Sequence, residues 1–126
     1  METTIPTNPG TLEKDETYSL ISAAKVQGTD VYNTGGEHIG DLDDVMIDKT
    51  SGKVAYAVIT FGGFLGMGKE RRALPWSVLS YDTDKDGYVT QASDDTLKNT
   101  PDLGDYGDRE WGTQLHKYYN VSPYWL

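Results

Sequence analysis

Cysteine is absent from the 126-residue chain, which removes a disulfide framework, a thiol nucleophile and any thiolate-held metal from consideration. Long apolar runs are missing too: no stretch approaches the roughly twenty residues a helical membrane span needs. Met1 to Gly10 carry neither the basic nor the apolar region of a signal peptide, so a cytoplasmic protein is expected. Positive charge is scarce. Eleven Lys and Arg face twenty Asp and Glu, for a net charge of −9. The acidic excess runs through both parts of the chain: eleven acids against seven bases up to Ser80, then nine against four. Binding to a phosphate backbone is driven by opposite charge, so nucleic acid is not expected as a partner. Imidazoles are nearly missing as well. His38 and His116 stand far apart and belong to no H-x-x-x-H pattern, no G-x-S-x-G occurs, and both histidines read as surface or interface residues. A nucleophile, a base and an oxyanion donor cannot be assembled from these residues, so neither enzyme activity nor a cofactor is expected.

What is present is a series of short β-favouring runs. Residues 1 to 18 mix Thr, Pro, Gly and charge without periodicity and read as a flexible arm. Ser22 is placed to open a short helical turn that Gly28 ends. A short strand over Thr29 to Thr34 and a turn at Gly35-Gly36 follow. The clearest element is a hairpin, with D-V-M-I-D-K and K-V-A-Y-A-V-I-T-F flanking Thr50-Ser51-Gly52. Both faces of its second arm are apolar, which predicts cover on both sides, as in a small closed or nearly closed barrel. Pro75 suits an edge, a bulge or a strand start. Asp86-Gly87 marks a turn, and S-D-D-T-L-K-N-T-P from Ser93 reads as one short helix capped by Ser93, with Pro101 beyond its end. Beyond Pro101 no regular element is evident, but Trp111, Leu115, Tyr118, Tyr119, Tyr124 and Trp125 are too many large side chains for a free tail. That segment is expected to pack on the barrel or on a partner.

Four motifs invite chemistry. Gly63 to Glu70 spells G-x-x-x-x-G-K-E, one residue from a phosphate-binding loop, but Glu70 stands where a hydroxyl should hold magnesium, and Pro75 stops the helix that should follow. The stretch reads instead as a β-connection, with Phe64, Leu65 and Met67 offered to the core or to a partner. Asp82-x-Asp84-x-Asp86-Gly87 opens like a calcium loop, yet its twelfth position is Ser93, so a polar hairpin turn is the leading reading and calcium or another small ligand the alternative. Asp41, Asp43, Asp44 and Asp48 read as a solvated strand face. Lys69, Glu70, Arg71 and Arg72 read as local salt bridges.

The ordered combination resembles the PRC-barrel family, named for the cytoplasmic domain of the photosynthetic reaction centre H subunit and shared with a bacterial ribosome maturation factor. The matching stretches are V-Y-N-x-x-G-E-x-I-G-D-L-D-D-V-M-I-D at Val31 to Asp48 and S-G-K-V-A-Y-A-V-I at Ser51 to Ile59. They continue with G-G-F-L-G-M-G-K-E at Gly62 to Glu70, A-L-P-W-S-V-L at Ala73 to Leu79 and D-G-Y-V at Asp86 to Val89. The spacing from Pro101 to Trp111 and the terminal P-Y-W are similar to the stand-alone bacterial branch. The resemblance implies an all-β fold: a small, strongly bent PRC-type β-barrel, with one short helix and an aromatic C-terminal extension. The expected organisation is an arm over 1–18, the barrel over 19–101 and the extension over 102–126. It also implies a non-enzymatic interaction or assembly module. The partner is expected to be a protein, namely the chain itself as a homodimer or higher oligomer, with Phe64, Leu65, Met67, Trp111, Tyr118, Tyr119, Tyr124 and Trp125 as candidate contacts. The alternative metal ligands are Asp82, Asp84 and Asp86.

Overall fold

Six strands carry most of the regular structure in the computed structural model, which describes residues 20–62 and 68–126. The arm expected over residues 1 to 18, and Phe64, Leu65 and Met67, lie outside the described residues. In chain order the elements are α1 (Ala23–Val26), β1 (Asp30–Tyr32), β2 (His38–Ile47), β3 (Val54–Phe61), β4 (Glu70–Pro75), a 3-10 turn (Trp76–Val78), β5 (Leu79–Asp82), β6 (Gly87–Thr90), α2 (Asp94–Lys98) and α3 (Arg109–Tyr119). The strands form one sheet in the order β4-β3-β2-β1-β6-β5. Every neighbouring pair is antiparallel except β1 and β6, which run parallel with Val31 opposite Tyr88.

The expected hairpin is β2–β3. Its turn is held by Asp48, whose carboxylate accepts from the Thr50 amide and the Ser51 hydroxyl. Two register shifts, between Leu42 and Asp44 and between Met46 and Ile47, add bends to β2 and help the sheet curl into a half-barrel. Gly40 lets the two strands close: a Cβ there would lie 2.4 Å from the Thr60 carbonyl oxygen. The curled face encloses Val31, Leu42, Ala57, Ile59, Leu74 and Leu79, and α2 adds Leu97. Each such aliphatic side chain is worth roughly 1.5–3 kcal/mol when fully buried. The other face of β3 is covered as well, since Tyr56 packs with Ala73 of β4 and Leu115 of α3.

Local expectations are met at α2, where the Ser93 hydroxyl accepts from the Thr96 amide, and at Pro75, which ends β4 on the sheet's edge. Two differ. Among the described residues the sheet is a half-barrel rather than a closed one, with β4 and β5 as its end strands, paired to β3 and β6 respectively. The expectation of one short helix also falls short, because α3 runs for eleven residues through the extension. Its glycine, near the middle, opposes helix formation by about 1 kcal/mol, and tertiary packing overcomes that cost.

Candidate functional site

The extension begins after Pro101 and turns into α3 at Asp108, whose carboxylate caps the helix by accepting from the Glu110 amide. At the other end Asn120 adopts a left-handed conformation (φ 57°) that ends the helix. Trp111, Leu115 and Tyr119 recur at a spacing of four and so share one face of α3, directed at the sheet. Tyr56 of β3 is the centre of this contact. Its ring meets those of Trp111, Tyr124, His116 and Tyr106 at centroid distances of 5.3, 5.5, 5.6 and 5.8 Å. Gly112 makes the approach possible, since a Cβ there would sit 2.8 Å from the Tyr56 hydroxyl and 3.1 Å from the Trp125 ring.

Polar groups at the rim hold the arrangement. The Trp111 indole donates to the Asp102 carbonyl at 2.9 Å. The Tyr118 hydroxyl donates to the Thr96 carbonyl at 2.7 Å, and the Tyr119 and Thr100 hydroxyls are bonded to each other. The Arg109 guanidinium lies 4.2 Å from the centroid of the Trp125 ring. His116, expected at a surface or interface, is instead buried, 2% exposed. Its Nδ1 donates to the Gly112 carbonyl at 2.7 Å and its Nε2 accepts from the Tyr124 amide. This bonding pattern needs a neutral ring, and it ties the terminal segment to α3. The histidine's position in the sequence says nothing of this; only the fold of the terminal residues back over α3 encloses it. Burial also pushes the Tyr56 and Tyr119 phenols up to about 12. The Tyr56 hydroxyl is buried without a hydrogen-bond partner among the described residues.

Among the candidate contacts, then, Trp111, Tyr119, Tyr124 and Trp125 are brought together and packed in the chain's own extension, whereas Tyr118 stays 39% exposed. The two end strands of the described sheet differ. β4 carries Glu70, Arg71 and Arg72 and closes on Pro75, with Arg71 paired to Asp43 at 2.8 Å and Arg72 paired to Glu70 and Asp102. β5 is shorter and less charged, with Ser80 and Tyr81 exposed. Beside it runs a groove of about 550 Å³ whose walls include Val78, Ser80, Thr96, Tyr119 and Val121.

The remaining motifs find structural employment. The strand β4 starts at Glu70, directly after Lys69, where a phosphate-binding loop requires a helix. In the acidic turn, the Asp82 carboxylate accepts from the amides of Asp84 and Lys85, and Asp86 takes φ 56° while accepting from the Tyr81 hydroxyl. These carboxylates shape the β5–β6 turn, and Asp82, Asp84 and Asp86 do not converge as a ligand group. The four strand aspartates are dispersed: Asp43 to Arg71, Asp44 to the Val45 amide, Asp48 to its turn and Asp41 to His38. The Arg71 guanidinium holds the Asp43 carboxyl below the usual carboxylate range.

A curled six-stranded sheet with an aromatic cap defines the class first, a small barrel-type β module. The family follows: the model of the PRC-barrel domain matches residues 19–97, more than half of the chain, and the chain belongs to that family. PRC-barrel domains are generally interaction or assembly modules without catalysis of their own. The match ends within α2, so α3 lies beyond it. A search of curated proteins returned no match. Among the described residues no helix is long and apolar enough to cross a membrane.

Proposed function

We propose that this chain is a non-enzymatic, cytoplasmic interaction module that binds a second copy of itself by pairing β5 with β5 of the partner. The observation that carries the reading is that β5 is an end strand of the sheet among the described residues. Proteins that avoid pairing between chains blunt the end strands of their sheets with charge or proline. The β4 edge is blunted in this way and the β5 edge is not. A two-fold axis through β5 would set the strand antiparallel to its copy and place the neighbouring grooves on either side of the joint. The net charge of −9 argues against a nucleic-acid partner.

Sedimentation tests this directly. The chain is expected to dimerise in the micromolar range, and Ser80→Lys, at an exposed edge position, is expected to weaken the dimer at least tenfold by setting like charges face to face. A control, Arg71→Ser on the other edge, should leave the dimer intact. A strict monomer at high micromolar concentration, or a dimer indifferent to Ser80→Lys, overturns the reading. Calcium binding at Asp82, Asp84 and Asp86 draws no comparable support, because the carboxylates of Asp82 and Asp86 already serve the turn.

A further inference from the structure

On the adjoining strands β1 and β2, Asp30 and Asp41 are direct cross-strand partners. Like charges in that position repel and weaken a strand pair, so their placement calls for a cation. His38 stands between them. Its Nε2 lies 3.3 Å from Oδ1 of Asp30 and 3.1 Å from Oδ1 of Asp41. One imidazole nitrogen carries at most one hydrogen, so a neutral ring cannot give a full hydrogen bond to both carboxylates. A metal ion can engage all three atoms through their lone pairs. The distances suit it: ligand atoms about 2.1 Å from one zinc ion at tetrahedral angles lie roughly 3.4 Å apart. Asp30, His38 and Asp41 are the one group of three such ligands that converges among the described residues.

The surroundings orient the ligands. The Tyr32 hydroxyl donates to Oδ2 of Asp30 at 3.2 Å, leaving Oδ1 directed at the histidine. The Tyr32 ring packs edge-on against the imidazole, with centroids 5.7 Å apart. Outer contacts of this kind fix the direction of metal ligands. Each of the three side chains is about half exposed, so an ion has access.

We infer that Asp30, His38 and Asp41 form a surface site for a divalent transition metal, zinc by preference, with its fourth position open to water. One nitrogen and two carboxylate oxygens favour zinc over magnesium, which demands near-octahedral oxygen ligation and gives up its waters reluctantly. The site is separate from the acidic turn and does not depend on self-association.

The test is titration of the untagged full-length protein with zinc chloride, followed by calorimetry and thermal unfolding, with nitrogen NMR of the two imidazoles. One zinc per chain should bind with micromolar affinity and raise the melting temperature by a few degrees. The His38 ring nitrogens should shift while those of His116 stay in place. His38→Ala and Asp41→Asn should each weaken binding at least tenfold, Tyr32→Phe by up to about tenfold, and Asp84→Asn not at all. Magnesium at the same concentration should give no saturable heat. Absence of saturable zinc binding, or binding unchanged in His38→Ala, overturns the assignment.

Discussion

The two faces of β3 are packed by different chemistry. Inside the curl, Ala57 and Ile59 meet Leu42, Leu74 and Leu97, aliphatic side chains from strands and from α2. Outside it, Tyr56 is surrounded by Trp111, Tyr106, His116 and Tyr124, all from the extension. The inner face asks only for apolar volume at the right positions. The outer face asks for particular residues: a glycine at 112 to admit the Tyr56 ring, and an acceptor nitrogen at 116 to receive the Tyr124 amide. An aliphatic core can exchange one methyl-bearing residue for another of similar volume. An aromatic cap with buried hydroxyls and an imidazole has fewer substitutes, because each polar atom needs its partner.

This contrast is broken most severely from inside. Ile59→Ala should cost about 3–4 kcal/mol in urea unfolding and weaken protection across the whole sheet. Leu115→Ala should cost about 2–3 kcal/mol, with the rise in amide exchange confined to residues 102–126. If both variants lost protection uniformly, the two faces would be one cooperative unit.

A milder break comes from Gly112→Ala. The added methyl gains helix propensity of up to about 1 kcal/mol, but it meets the Tyr56 hydroxyl and the Trp125 ring. Overpacking at such a site costs roughly 1–3 kcal/mol. The expected result is a net loss of stability with early proteolysis of the extension. A stabilised Gly112→Ala would show that α3 can move away from β3 at no cost.

Alkaline titration sharpens the comparison with the smallest perturbation. Tyr56 and Tyr119 are held protonated by burial, up to about 12, whereas the unfolded chain releases these protons near pH 10. The folded state therefore keeps protons that the unfolded state has lost. The stability they confer is complete below pH 10 and falls as the pH rises towards 12, by at most about 1.4 kcal/mol per pH unit for each tyrosine. Tyr56→Phe should make that fall shallower. At neutral pH the same variant should leave stability unchanged or raise it by up to about 1 kcal/mol, since the lost hydroxyl has no partner among the described residues. A clear loss at neutral pH would mean that the Tyr56 hydroxyl is bonded in solution.

Much of the sheet was legible because its rules are local. Alternating β-branched and aromatic residues from Val54 to Phe61, the Asp48 to Gly52 turn and the Ser93 cap each act within a few residues. The helix α3 escaped notice although Asp108, Asn120 and the four-residue spacing of Trp111, Leu115 and Tyr119 were all in view. Gly112 in its middle obscured them, and the reason for that glycine, the hydroxyl of Tyr56, stands more than fifty positions earlier in the chain. The Asp30, His38 and Asp41 cluster was equally hidden. Asp30 and Asp41 become neighbours only through the register of β1 on β2.

By itself, then, the sequence determined the family, the hairpin and the turns, because composition and short-range pattern are enough for those. Tertiary structure alone decided that β4 and β5 end the sheet of the described residues, that His116 is buried, that the aromatic extension closes over Tyr56, and that two aspartates converge on one imidazole. Each of these depends on which distant residues come within a few ångströms of each other, and that is a property of register and curvature that no local pattern encodes.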